Sequence, residues 1–292
     1  MPTTDSPLRY PGGKTQLAPF VSALLTLNEL QGGHYAEPFA GGAGIAWRLL
    51  FTGQASEIWL NDIDSAIYAF WKAVVYDTDE LCQRIHNAVL TMDEWHRQRA
   101  IFKKTRNKYI DRAFAAFYLN RTNRSGILDG GVIGGMRQDG NYKLDCRFNK
   151  QDLIRKIERI GRYRSSIHLS NKDARLCLEQ WDKELPTRSL FNIDPPYYGK
   201  GSELYINYFK HNDHASLSEQ VLHLKHRWII TYDNVPEIES LYRTCKKYKT
   251  SLLYSVQTKY RGIELLIADS NLAIPQSSID AIAQRNTELL TA

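Results

Sequence analysis

His34-Tyr35-Ala36-Glu37-Pro38-Phe39-Ala40-Gly41-Gly42-Ala43-Gly44 is the stretch on which the fold turns. A short apolar strand at His34–Ala36 stops at Glu37-Pro38, and glycines at 41, 42 and 44 supply a tight turn. Helically spaced apolar residues follow from Ile45 to Leu50. A second strand is predicted at Glu57–Leu60, closing on Asn61-Asp62-Ile63-Asp64, with a helix from Ser65 to about Val75. Strand, glycine turn, helix, strand and acidic end make a βαβ unit on an open parallel sheet. Many βα turns contain glycine, so the turn alone is a weak signal. Asp62 strengthens it, because an acid about twenty residues on, at the next strand end, can accept ribose hydroxyls. Phe39 within the turn is placed to pack on the same ligand. No GKT/S element follows the strand, which disfavours a triphosphate.

The other bounds agree with a large α/β chain. It has 292 residues, 43% hydrophobic and 24% charged, enough for one large domain or one domain with an insertion. Cys82, Cys146, Cys177 and Cys245 are far apart and form no CxxC pair, which argues against disulfides and zinc and for a reducing cytosol. No apolar run follows a basic start and none approaches ~20 residues. The expectation is a soluble, unexported protein without membrane or metal partners. His211, His214, His223 and His226 lie in a polar helical stretch and read as unrelated to metal.

Charge is unevenly placed. Residues 97–176 hold 20 Lys and Arg against 7 Asp and Glu, a surplus of 13 on a chain whose net charge is +6. The remainder is therefore net acidic, and a block this basic is suited to neutralising phosphates. In the same region the pattern shifts to long helices with basic faces, Thr91 to about Tyr109 and Ile110 to Leu119. A Gly/Asn/Arg-rich loop (Asn120–Asn149) and an amphipathic helix (Gln151–Tyr163) follow. The α/β rhythm resumes at Ser166–Leu169 and Leu190–Ile193. It continues through Trp228–Tyr232, Lys249–Tyr254 and Glu264–Ala268. Residues 77–165 thus read as an insertion into a sheet domain formed by 1–76 and 166–273, with 274–292 a tail.

Asp194-Pro195-Pro196-Tyr197 ends the apolar run Ser189–Ile193. The prolines fix their own φ and hold Asp194 extended, so a carboxylate, directed carbonyls and a ring emerge together where a buried strand meets a cleft. That set suits gripping a planar heterocycle by an exocyclic amine, and it also suits a plain turn. Five elements occur in order: Tyr10-Pro11-Gly12-Gly13-Lys14, Glu37–Gly44, Asn61–Asp64, Asn120-Arg121-Thr122 and Asp194–Tyr197. Thr231–Asn234 and Arg261–Ile267 come later. With this ordered set the chain resembles Dam-type DNA adenine methyltransferases from about Leu8 to Ala268.

The resemblance implies a Rossmann-like S-adenosylmethionine-dependent methyltransferase sheet with a mainly helical inserted DNA-recognition subdomain. It implies transfer of a methyl group to N6 of a flipped-out adenine in double-stranded DNA, in a bacterial or phage setting. Tyr10 and Lys14 match the segment closing over S-adenosylmethionine, Glu37 and Phe39 the turn under its methionine part, and Asp62 and Asp173 acids near its nucleoside. Asp194 matches the residue beside both cofactor and target amine. In this reading Asp194 and the Pro195 carbonyl hold the amine hydrogens, Tyr197 stacks on the base and Tyr198 lines the pocket. Asn120, Arg121, Asn123 and Arg124 match a DNA-contacting loop, Arg121 being equally readable as a loop anchor. GATC-methylating relatives carry aromatics where this chain has Thr122 and Arg124, so GATC does not follow. Two rivals stay open: a same-fold enzyme acting on RNA or on cytosine N4, and a catalytically silent DNA-binding regulator.

Overall fold

The computed structural model describes residues 4–10, 13–104, 108–199, 209–255 and 259–275, the side chains of 251–262 excepted. Pro11, Gly12, the Arg261 side chain and the expected tail from 276 onward lie outside the described residues. Helix α1 (Ala18–Leu27) follows a single 3-10 turn at Thr15–Leu17. Pro19 sits in its first α-turn, where the missing N–H is no loss. Then come β1 (Gly33–Glu37), α2 (Gly44–Phe51), β2 (Ala55–Asn61) and α3 (Ser65–Tyr76), the predicted βαβ unit. Asp64 caps α3 by accepting from Ala66 N at 2.8 Å.

Residues 77–165 supply α4 (Thr78–Asn87), α5 (Met92–Lys103), α6 (Tyr109–Thr122) and α7 (Lys150–Gly161). Helix α4 was not expected; its apolar side is only Leu81, Cys82 and Ile85 on an otherwise polar turn sequence. The helix expected across Thr91–Tyr109 ends at Lys103. Helix α6 is no basic-faced surface helix: ten of its fourteen residues are buried, so it is a central element. Its Phe117 stacks on Phe70 of α3 with centroids 5.4 Å apart. The chain continues through β3 (Ile167–Ser170), α8 (Ala174–Glu184), β4 (Ser189–Ile193), α9 (His211–Leu222) and β5 (Arg227–Asp233). It closes with α10 (Pro236–Leu241), β6 (Lys246–Ser255) and β7 (Lys259–Ala268).

The seven strands lie in the order β3-β2-β1-β4-β5-β7-β6. The first five are parallel, whereas β7 runs antiparallel to both β5 and β6. A wholly parallel sheet fails here because only three residues separate β6 from β7, far fewer than the dozen or so that a parallel crossover needs. Strand residues alternate between faces. Tyr35, Leu190 and Ile229 join a core with α1–α4, α6 and α7; Ala36, Phe191 and Ile230 join a second with α8, α9 and α10. The helices of 77–165 therefore share the core of α2 and α3. No described helix is long and apolar enough to cross a membrane.

Candidate active site

In a doubly wound sheet, ligands sit outside the carboxyl ends of the strands where the strand order reverses, here between β1 and β4. Glu37 ends β1, Asn61 ends β2, and Asp194 and Asp233 lie at the ends of β4 and β5. A cavity of about 350 Å³ opens there, and Tyr10, Lys14, Phe39, Asp62, Asp173 and Asp194 all line it. That is the size class of a small cofactor pocket.

The glycine turn forms one wall. Gly41 has φ of +48° and a Cβ on it would lie 2.6 Å from the Tyr10 ring, so conformation and space both demand glycine. A Cβ on Gly44 would fall 2.0 Å from Thr15 Oγ1. The N-terminal segment thus lies directly on the turn. Gly41 N donates to Asp62 Oδ2 at 2.9 Å, and Trp71 Nε1 donates to the Gly41 carbonyl at 2.8 Å. Asp64 N donates to Asp62 Oδ1 at 2.9 Å. Burial raises the Asp62 carboxyl to about 7, more than the two N–H donors lower it. Asn61 bridges the carbonyls of Pro38 and Lys172 with its amide nitrogen, tying this turn to the loop after β3.

Glu37 is buried in the cavity wall and accepts the Tyr35 hydroxyl at 2.9 Å. Burial drives its carboxyl up to about 8, against hydrogen bonds from Tyr35 and Asn192. Phe39 meets Phe209 edge-on at 5.9 Å, giving the cavity an aromatic side. Asp173 caps α8 through Arg175 N and is held by the Arg175 guanidinium, which lowers its carboxyl.

Around Asp194 a compact charged network forms. Lys14 Nζ donates to both carboxylate oxygens at 2.9 and 3.0 Å and to the Tyr197 hydroxyl at 2.8 Å. Thr231 Oγ1 donates to Asp194 Oδ1 at 2.8 Å. The Lys14 side chain is 4% exposed whereas that of Asp194 is 24% exposed, toward the cavity. Asp233 accepts the backbone N–H groups of Tyr198 and Gly199 at 2.8 and 2.7 Å, fixing the loop after the prolines. Pro195 and Tyr197 are not on the cavity wall; Asp194 and Pro196 are. Tyr197, expected to lie open for stacking, is buried, because its hydroxyl is drawn inward by Lys14 and Glu264.

The loop residues need a correction as well. Asn120 and Asn123, expected on the DNA side, are buried with their amides committed to backbone. Asn120 bonds both Arg9 N and Arg9 O, at 2.8 and 2.7 Å, and the Gly126 carbonyl at 2.9 Å. Asn123 accepts Trp95 Nε1 and donates to the carbonyls of Ile127 and Leu128. Both amides stand in for absent backbone partners and shape the loop. Arg121 is half-buried, lines the cavity and donates to the Arg147 and Pro7 carbonyls, at 2.7 and 3.4 Å. Burial, with Arg9 and Arg147 close by, pulls it down to about 10. Arg124 alone of the four is exposed.

Sequence reasoning assigned no role to Asn61, Thr231, Asp233 or Glu264. A signal existed for the last: Glu264 is a lone carboxylate inside the apolar strand Ile263–Ala268.

A family model described as D12 class N6 adenine-specific DNA methyltransferase matches residues 10–260. The chain is also similar to the Type II methyltransferase M.MjaIII of Methanocaldococcus jannaschii, with 26% identity over 205 residues. That match covers 65% of this chain and 68% of the relative. Among solved structures, a candidate RNA methyltransferase of Pyrococcus horikoshii aligns with TM-score 0.40 and 10% identity, over 86% of this chain and 80% of that one. A class I S-adenosylmethionine-dependent methyltransferase candidate of Listeria monocytogenes aligns at 0.37 and 9%, over 89% and 62%. Neither alignment is close enough to bear on function.

Proposed function

From the premise that this chain belongs to the D12 class of N6 adenine-specific DNA methyltransferases, we propose a division of labour among its cavity residues. The protein is an S-adenosylmethionine-dependent DNA adenine methyltransferase, and the donor set fits that cofactor. Asp62 retains lone pairs for ribose hydroxyls, Glu37 and Asp194 offer carboxylates near an ammonium, and Phe39 and Phe209 offer apolar surface for an adenine ring. The glycine turn leaves room where any side chain would collide. When bound, S-adenosylmethionine supplies an electrophilic methyl group.

The chain's own residues act on the base. Adenine N6 is a weak nucleophile because its lone pair is delocalised into the ring. Asp194 accepts an amine hydrogen through the carboxylate face open to the cavity, favouring the pyramidal nitrogen that attacks, while Pro195, buried off the cavity wall, restricts the Asp194 backbone to extended geometry. Lys14 and Thr231 hold the Asp194 carboxylate in place, and Asp233 holds the loop carrying it. Arg9 and Arg121 give the cavity a cationic wall suited to the phosphates of an everted nucleotide. Residues 77–165 act as the target-recognition part, with Arg124 as the contact at the loop surface; Asn120 and Asn123 shape the loop instead. The Type II relative favours a modification role.

The observation that carries this reading is Asp194, held from behind by Lys14 and Thr231 and open in front. Duplex DNA should accept labelled methyl and yield N6-methyladenine on digestion. Asp194→Ala should lower turnover by about 10²–10³-fold or more. Full turnover in that variant would overturn the assignment.

A further inference from the structure

Glu264 lies on β7 opposite Asp233 of β5 and Thr250 of β6, in an otherwise apolar strand segment. It is 2% exposed and does not line the cavity. One oxygen accepts the Tyr197 hydroxyl and lies 3.7 Å from Lys14 Nζ. The other has no hydrogen-bond partner among the described residues. Burial pushes its carboxyl up to about 7, with Lys14 pulling the other way. A carboxylate so placed is costly for the core, and a leucine would pack there at less expense. Among the described residues its polar contacts are Tyr197 and Lys14, and a benefit can pass through these two.

Lys14 contacts the amine-binding acid directly, and Tyr197 is linked to it through Lys14. The Tyr197 hydroxyl accepts from Lys14 and donates to Glu264, so without Glu264 it loses that acceptor. Lys14 sits between two carboxylates, and removal of one shifts more of its charge onto Asp194. An ammonium drawn further onto Asp194 competes with the adenine amine for the same oxygens. We propose that Glu264 is a positioning residue for methyl transfer, anchoring Tyr197 and sharing Lys14 so that Asp194 keeps an acceptor open. This rests on the reading of Asp194 as the acceptor of the amine.

The test uses the full chain with Glu264→Ala, Glu264→Gln, Tyr197→Phe and the Tyr197→Phe/Glu264→Gln pair. Single-turnover methylation of duplex DNA at saturating S-adenosylmethionine is read beside KM for the cofactor. Glu264→Ala should slow the single turnover by about 10²-fold, with KM within about 3-fold. Glu264→Gln, which keeps an acceptor for the hydroxyl, should recover about 10-fold of that loss. In the Tyr197→Phe background it should add a smaller loss than it does alone, because one of its two contacts is already gone. A Glu264→Ala rate within about 2-fold of wild type, or a loss confined to KM, overturns the proposal. If Glu264→Ala does not fold, Glu264→Gln decides: a rate equal to wild type, together with an unmoved Tyr197 resonance, overturns it. That resonance, from tyrosine labelled with carbon-13 at Cζ, needs no turnover and should shift when Glu264 is replaced. A wild-type protein that methylates no DNA would sink the methyl-transfer reading, and the Tyr197 resonance would still decide whether Glu264 positions that side chain.

Discussion

Replacing Glu37 by glutamine isolates the energetic cost of this buried acid in the cavity wall. Its carboxyl stands at about 8 in the folded protein against an ordinary 4.5, chiefly through burial. Between those values the folded state holds a proton that the unfolded chain has released. Unfolding free energy therefore falls as pH rises from about 4.5 to about 8 and levels off above. At about 1.4 kcal/mol per pH unit, the two units from pH 6 to 8 amount to about 3 kcal/mol. Glu37→Gln keeps an oxygen for the Tyr35 hydroxyl and removes the titration. Asp62 and Glu264 also titrate near 7, in the same direction, but they do so in both proteins and cancel in the difference. Urea denaturation at pH 6 and pH 9 should show wild type losing about 3 kcal/mol more than Glu37→Gln across that interval. Calorimetry at pH 7 should also show cofactor binding release protons from wild type, and fewer from the variant. Stability curves parallel to within about 0.5 kcal/mol would refute the argument.

Three further substitutions probe other parts of the site. Gly41→Ala places a Cβ against Tyr10 at a positive φ, so about 1–3 kcal/mol of stability and much of the cofactor affinity should be lost, read by thermal melts and calorimetry. Asn120→Ala strands the backbone of Arg9 and Gly126 and should cost about 2–4 kcal/mol in urea titrations, whereas a base-reading residue would change DNA sequence preference and leave stability alone. Arg124→Ala should leave the melting temperature unchanged but weaken DNA binding and reduce the salt dependence of affinity by about one ion equivalent.

Periodicity and punctuation carried the sheet, since β1, β2 and β4 are short apolar runs ended by Glu37-Pro38, Asn61-Asp62 and Asp194-Pro195. The acids read from those ends, with Gly42 and Gly44, line one cavity together with Lys14. Polar residues whose burial only tertiary structure reveals were misread. Asn-Arg-Thr-Asn-Arg has the composition of a nucleic-acid loop, yet its asparagines face inward because the loop's carbonyls have no regular secondary structure to pair with. Helix α6 hid its central place for a related reason. Asp111, Arg112 and Arg121 flank a run, Ala113–Leu119, that is apolar on every side. The inward hydroxyl of Tyr197 depends on Glu264, 67 residues away, and no local spacing could announce that contact.

The strand order has a consequence for synthesis. Strand β1 lies between β2 and β4, but about 150 residues separate β1 from β4, much of that length being the helices α4–α7. At about 5–20 residues per second, a ribosome leaves one edge of the nascent β1–β2 pair open for roughly 8–30 s. Unpaired strand edges recruit other chains. Recovery of native protein should then depend on translation speed, temperature and chaperone supply during that interval, whatever the stability of the finished molecule.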